Sequence, residues 1–144
     1  MLLFLLVTLG SLLLSLSAKF LADSFLDSRL PLLGSFAGLQ YSLNPGVAFG
    51  VRLGGWEPVI IPIALILVAT VAIRSAKTSL SRIGYGMIVG GALGNVIDRI
   101  RDGAVTDFFQ VGGFPIFNVA DSFITVGVML LLAEMILAWW GKKE

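Results

Sequence analysis

The sequence has no cysteine and no histidine, and only 13% of its 144 residues are charged. Each absence removes a class of chemistry. Without histidine there is no Ser–His or Cys–His nucleophile pair. Without either residue there is no ordinary zinc site, no haem held by His or Cys, and no disulfide. A net charge of +1 gives no basic footprint for nucleic acid. No metal and no cofactor is therefore expected, and acid–base chemistry falls to the nine acids, the lysines or the two tyrosines.

What the chain has instead is apolar length. It is 57% hydrophobic with a mean hydropathy of +0.96, against about 45–50% apolar in soluble domains, which places it in the membrane class. A spanning helix needs roughly 20 mostly apolar residues. Four runs qualify or nearly so: 1–21, 58–73, 80–100 and 121–140. Trp139 and Trp140 close the last one, as an interfacial aromatic belt would. The first run lacks a preceding Lys or Arg, so it reads as a retained helix rather than a cleaved signal peptide. The expected fold class is an all-α membrane protein of one domain over 1–144, with outer segments at 22–57 and 101–120. Arg74, Lys77 and Arg82 in the short second connection, with Lys142 and Lys143 in the tail, mark the cytoplasmic side and put both termini there.

The 22–57 segment carries its own pattern. Leu39, Tyr41 and Leu43 alternate with polar residues, Val47, Phe49, Val51 and Leu53 alternate again, and Asn44-Pro45-Gly46 lies between them. Two period-2 runs around a turn predict a small β-hairpin. Such a hairpin is marginal alone and needs support from the helices or the membrane surface.

Gly86, Gly90 and Gly94 recur every four residues in the third run, a spacing that lets membrane helices approach closely. Asn95, Asp98 and Arg99 follow on one helical face. Their plain reading is a local ion pair that pins the helix end. Asp107 lies among apolar residues in the outer loop, and Asp121 opens the fourth helix with Asn118 three residues before it. Singly, Asp107 reads as a loop acid and Asp121 as an N-cap. Both, however, belong to the same membrane face. Two adjacent carboxylates resist simultaneous ionisation and share a proton, so one can activate water while the other polarises a carbonyl. Acids at that face could also bind a cation or proton in a small transporter or channel subunit. Glu134, far along the fourth helix, reads as an acid near the cytoplasmic interface or one buried with a partner.

The ordered motifs "NPGVAF" (44–49), "GNVIDR" (94–99), "VTDFF" (105–109) and "FNVAD" (117–121) resemble those of lipoprotein signal peptidase, or signal peptidase II. The resemblance implies an integral-membrane aspartic endopeptidase of the bacterial cytoplasmic membrane. It implies removal of the signal peptide from prolipoproteins, with the cut just before a diacylglyceryl-modified cysteine. It also implies an outer β-cradle beside the active site and an enzyme acting as a monomer among membrane lipid. Carried over by motif, Asp107 and Asp121 correspond to the catalytic dyad. Asn44, Gly46, Gly94, Asn95, Asp98, Arg99, Val105, Phe117, Asn118, Ala120 and Lys19 correspond to residues that shape or support the site. One departure stands out: the acid usual in that family four residues before Lys19 is here Ser15. Asp23, four residues after Lys19, is expected to take over as its partner. The 108–116 connection is also short for the family.

Overall fold

The computed structural model describes residues 1–46 and 54–141. Among them the chain forms four helices, α1 (Leu2–Phe25), α2 (Glu57–Ser75), α3 (Ser79–Asp102) and α4 (Val119–Trp140). It also forms three strands, β1 (Leu30–Leu33), β2 (Ala37–Asn44) and β3 (Val105–Val111). The helices lie where the apolar runs predict them. α1 and α4, with a mean hydropathy of 2.0 each, are long and apolar enough to cross a bilayer, while the apolar part of α2 is shorter. α3 is more polar because glycines and its charged end replace bulky apolar residues.

The polarity of the bundle is inverted relative to a soluble protein. The largest fully buried side chains are Lys19, Asn118, Thr106, Asp98 and Ser15, whereas Leu5, Leu9 and Leu13 of α1 and Met129, Leu132 and Ile136 of α4 are exposed. In water that apolar shell would be penalised at about 25 cal/mol per Å². Lipid removes the penalty, and with it the hydrophobic drive for helices to associate, which leaves close packing and hydrogen bonds.

Close packing comes from two seams on α3. Gly86, Gly90 and Gly94 face α1, as their spacing predicts: a Cβ on Gly86 would stand 2.9 Å from Val7 Cβ, and one on Gly94 3.1 Å from Ser15 Cβ. The second seam faces α4. A Cβ on Gly91 would stand 2.5 Å from the Ala120 carbonyl oxygen, and one on Gly127 of α4 2.5 Å from that of Gly84. A small cluster of Phe4, Ala72 and Val89 adds α2 to the bundle. At the start of α3, Thr78 caps the helix and its hydroxyl also donates to the Glu134 carboxylate, so Glu134 ties α4 to α3.

At the other end of α3, Gly103 adopts a left-handed conformation (φ 72°) and turns the chain into β3. The sheet there is antiparallel in the order β1-β2-β3. Of the expected hairpin, only the first run lies among the described residues. Its first run is β2, but the strands beside β2 are β1, reached through a turn at Gly34 (φ 56°), and β3, in the register Ser42↔Asp107 and Asn44↔Val105. Its second run, Val47–Leu53, lies outside the described residues. β3 itself gave no alternating signal because Val105, Thr106, Asp107 and Phe108 are all buried in succession. After a short turn the chain doubles back, with the Phe109 N–H donating to the Phe117 carbonyl at 2.7 Å. α4 therefore begins beside Asp107.

Gly91→Ala is expected to lower the thermal stability of the detergent-solubilised protein, by about 1–3 kcal/mol for an overpacked contact. Gly10→Ala, where a Cβ meets nothing within 4 Å, should leave stability unchanged or slightly higher. Equal melting shifts for the two would contradict the α3–α4 seam.

Candidate active site

Asp107 is 2% exposed in the middle of β3. Its Oδ1 accepts a hydrogen bond from Asn118 Nδ2 at 2.6 Å, and its Oδ2 accepts one from Asn44 Nδ2 at 3.2 Å. Asn44 is oriented in turn by the Gly46 N–H, which donates to its Oδ1 at 3.0 Å. Strand pairing brings Asn44 opposite Val105, two positions from the acid.

The expected N-cap at Asp121 is corrected. The cap is Asn118, whose Oδ1 accepts the Asp121 N–H at 3.0 Å, while Asp121 Oδ2 accepts the Asn118 N–H at 3.2 Å. Asp121 is thus the third helical residue of a capping box, and the helix N-terminus suits a carboxylate there. Asn118 bonds both acids at once, and it is fully buried. Asp121 Oδ1 also accepts from Asn95 Nδ2 at 2.8 Å.

Behind Asn95 stands a buried ion pair. Lys19 Nζ lies 2.9 Å from Asp98 Oδ2, and each side chain is 1% exposed. Nζ also donates to Asn95 Oδ1 at 2.7 Å and to the Gly94 carbonyl at 3.3 Å. This corrects two expectations. Asp98 does not pair locally with Arg99, and Lys19 does not pair with Asp23. Asp23 accepts from Arg101 at 2.7 Å and from the Thr106 hydroxyl at 2.9 Å, tying the end of α1 to α3 and β3. Arg99 donates to the Asn95 carbonyl at 3.2 Å and to the Gly46 carbonyl at 2.5 Å, which holds the chain after β2 against α3. Ser15 is buried, donates to the Ser11 carbonyl at 2.7 Å, and packs where Gly94 crosses α1. Lys19 therefore has its carboxylate without an acid at position 15.

Desolvation by burial and the neighbouring Asp121 charge push the Asp107 carboxyl from its ordinary 3.8 up to about 6. The donors Asn118 and Asn44 and the Lys19 charge pull the other way but do not cancel the rise. Both acids line one cavity of about 740 Å³ whose remaining wall is largely apolar and includes Ile61, Phe114, Ile116, Ile124, Val126 and Met129.

Of the site residues expected from sequence, Lys19, Asn44, Asn95, Asp98, Asp107, Asn118 and Asp121 join one hydrogen-bonded network. Gly46, Gly94 and Arg99 contribute through backbone or bracing contacts, and Val105 is buried at the cavity wall. Phe117 pairs its backbone with Phe109, and Ala120, fully buried, forms the floor of the Gly91 contact. Thr106 was missed. Its N–H donates to Asp98 Oδ2 at 3.0 Å, a backbone role with no sequence signal.

The model of the family Signal peptidase (SPase) II matches residues 7–137. The chain is 42% identical over 120 residues to a lipoprotein signal peptidase of Caldicellulosiruptor bescii, covering 83% of this chain and 79% of that one. It is 38% identical over 114 residues to a lipoprotein signal peptidase of Moorella thermoacetica, covering 77% and 76%. A solved bacterial membrane enzyme superposes with a TM-score of 0.87 at 28% identity, over 98% of this chain and 92% of that one. The family match spans the paired acids, their bridging asparagine, α2, α3 and most of α1 and α4, and on it the chain belongs to the signal peptidase II family of membrane peptidases.

Proposed function

We propose that Asp107 and Asp121 are the catalytic dyad of this peptidase, which removes the signal peptide from diacylglyceryl-modified prolipoproteins by cutting before the lipidated cysteine. The observation that carries the reading is Asn118. Its side-chain amide donates to the Asp107 carboxylate and accepts the Asp121 N–H, while its backbone N–H donates to the Asp121 carboxylate, so one buried residue holds both acids beside an apolar cavity. We place the four helices across the bacterial cytoplasmic membrane as a single monomeric unit, with both termini inside and the sheet at the outer face.

The chemistry follows from the arrangement. The cavity suits acyl chains and an apolar peptide segment arriving laterally from lipid, each buried methylene adding about 0.8 kcal/mol. Asp107, the acid with the raised pKa, holds the shared proton and gives it to the scissile carbonyl oxygen. Asp121 takes a proton from the attacking water, and a tetrahedral diol forms. That proton then passes to the leaving amine, a diol hydroxyl returns its proton to Asp107 as the carbonyl reforms, and the C–N bond breaks. No serine nucleophile is needed, and Ser122 donates to the Asn118 carbonyl as an ordinary helix-start residue. The transport reading finds no support. Asn amides and backbone N–H groups donate to the acids, whereas a cation site needs oxygen ligands aimed at the ion.

Asp107→Asn and Asp121→Asn should each lower cleavage of a diacylglyceryl-modified prolipoprotein by roughly a hundred- to ten-thousandfold, with folding retained. Full-rate cleavage by either variant would remove the dyad. The kcat/KM profile of the wild type should fall as pH rises through about 6, because Asp107 must hold its proton. Asn44→Ala deletes a donor that pulls this pKa down, so its alkaline limb should move to higher pH. A shift to lower pH would contradict the assignment.

A further inference from the structure

Asn95 stands between the buried Lys19–Asp98 pair and Asp121, and its amide has two orientations. Turning it by half a circle exchanges an acceptor for a pair of donors. In the observed orientation Nδ2 faces Asp121 Oδ1 at 2.8 Å. In the other, an oxygen would face the carboxylate and repel it.

Two donors select between them, and Lys19 is the shorter contact. An ammonium has three donors and no acceptor, so Lys19 Nζ can face only the amide oxygen, which it does at 2.7 Å. Its other partners are Asp98 Oδ2 at 2.9 Å and the Gly94 carbonyl at 3.3 Å, so all three donors are committed. Asn118 is fixed independently: its Oδ1 takes the Asp121 N–H, which leaves Nδ2 for Asp107 and, at 3.2 Å, for Asn95 Oδ1. Two donors, one from α1 and one from the start of α4, thus converge on Asn95 Oδ1.

We propose that Lys19 is a positioning residue for hydrolysis, acting through Asn95: it locks that amide so that a donor always faces Asp121 and holds the carboxylate in place to receive the proton of water. The inference rests on the dyad reading above. Asp98 on this view keeps the ammonium charged and aimed inside the bundle, while Asn95 carries the effect to the acid. Without Lys19 only the longer Asn118 contact at 3.2 Å still holds Asn95 Oδ1, so the amide is less firmly oriented and its hydrogen bond to Asp121 weakens.

Lys19→Met alone would strand a buried carboxylate and threaten folding. The test is therefore the double variant Lys19→Met/Asp98→Asn, in which the asparagine keeps an acceptor for the Thr106 N–H. We expect it to fold with a kcat roughly ten- to a hundredfold lower, the range for losing a hydrogen bond to a charged group, and with KM within about twofold. A wild-type kcat would overturn the proposal and leave Lys19 only as the partner of Asp98. A second measurement needs no variant at Lys19. In the wild-type chain labelled with ¹⁵N-asparagine, one Asn95 Nδ2 proton should be shifted downfield and protected from exchange, and Asp121→Asn should move it. Rapid exchange of both protons would overturn the proposal, whether or not the double variant folds. The two readings fail differently. Full cleavage by Asp107→Asn or Asp121→Asn removes the dyad itself, while inactive dyad variants beside a fully active double variant remove only the role of Lys19.

Discussion

A lysine and an aspartate buried together between α1 and α3 constrain everything around them. Lipid offers nothing to solvate Lys19 or Asp98, so each must find its partners inside the bundle. Such a pair is expensive to desolvate and worse to break, since removing one member typically costs about 3–5 kcal/mol. α1 and α3 must therefore cross where Nζ reaches Asp98, and the glycines at 86, 90 and 94 permit the approach. The same crossing points the spare donors of Lys19 at Asn95 and at the Gly94 carbonyl. A demand of folding is thereby converted into the orientation of an amide next to the acids.

The second constraint arises where α4 begins. A helix start needs acceptors for its free N–H groups, and Asn118 with Asp121 supplies them reciprocally. Asn118 is then left with donors to place, and β3 has brought Asp107 to meet one of them. One acid comes from a strand and the other from a helix, so their separation depends on how the sheet docks on the bundle. That docking is held by Thr106, which reaches Asp98 through its backbone and Asp23 through its hydroxyl, and by Arg99 on the Gly46 carbonyl. The raised pKa of Asp107 is the cost first of its burial and then of this proximity to Asp121. Ionising that buried group beside Asp121 is unfavourable, so its contribution to stability is fully present below about 3.8 and is lost as pH rises through about 6.

Sequence reached the helices because unbroken apolar runs have one structural solution in lipid. It reached the seam toward α1 because its glycines repeat every four residues on one helix. The seam toward α4 stayed hidden because it is divided between two helices, with its small residues seven apart on each rather than four. β3 stayed hidden because burial on both faces erases alternation. The partner of Lys19 was misjudged for a similar reason: Asp23 sits one helical turn away, whereas Asp98 arrives only by tertiary packing. Asp121 reads from sequence as either a cap or a catalyst, yet the capping box and the proposed dyad use the same carboxylate. The motif resemblance named residues that the fold gathers around the two acids, but the wiring among Lys19, Asn95 and Asn118 arises only from tertiary packing.

The coupling of the two acids is most directly tested by following the carboxyl ¹³C signals of labelled aspartates through a pH titration of the protein in detergent, for wild type and for Asp121→Asn. Asp107 should titrate near about 6 in the wild type and move toward the ordinary carboxylate range in the variant, because the variant removes one of the two causes of its rise. A wild-type Asp107 that titrates at about 3.8 and ignores the substitution would mean that the two carboxylates do not share a site.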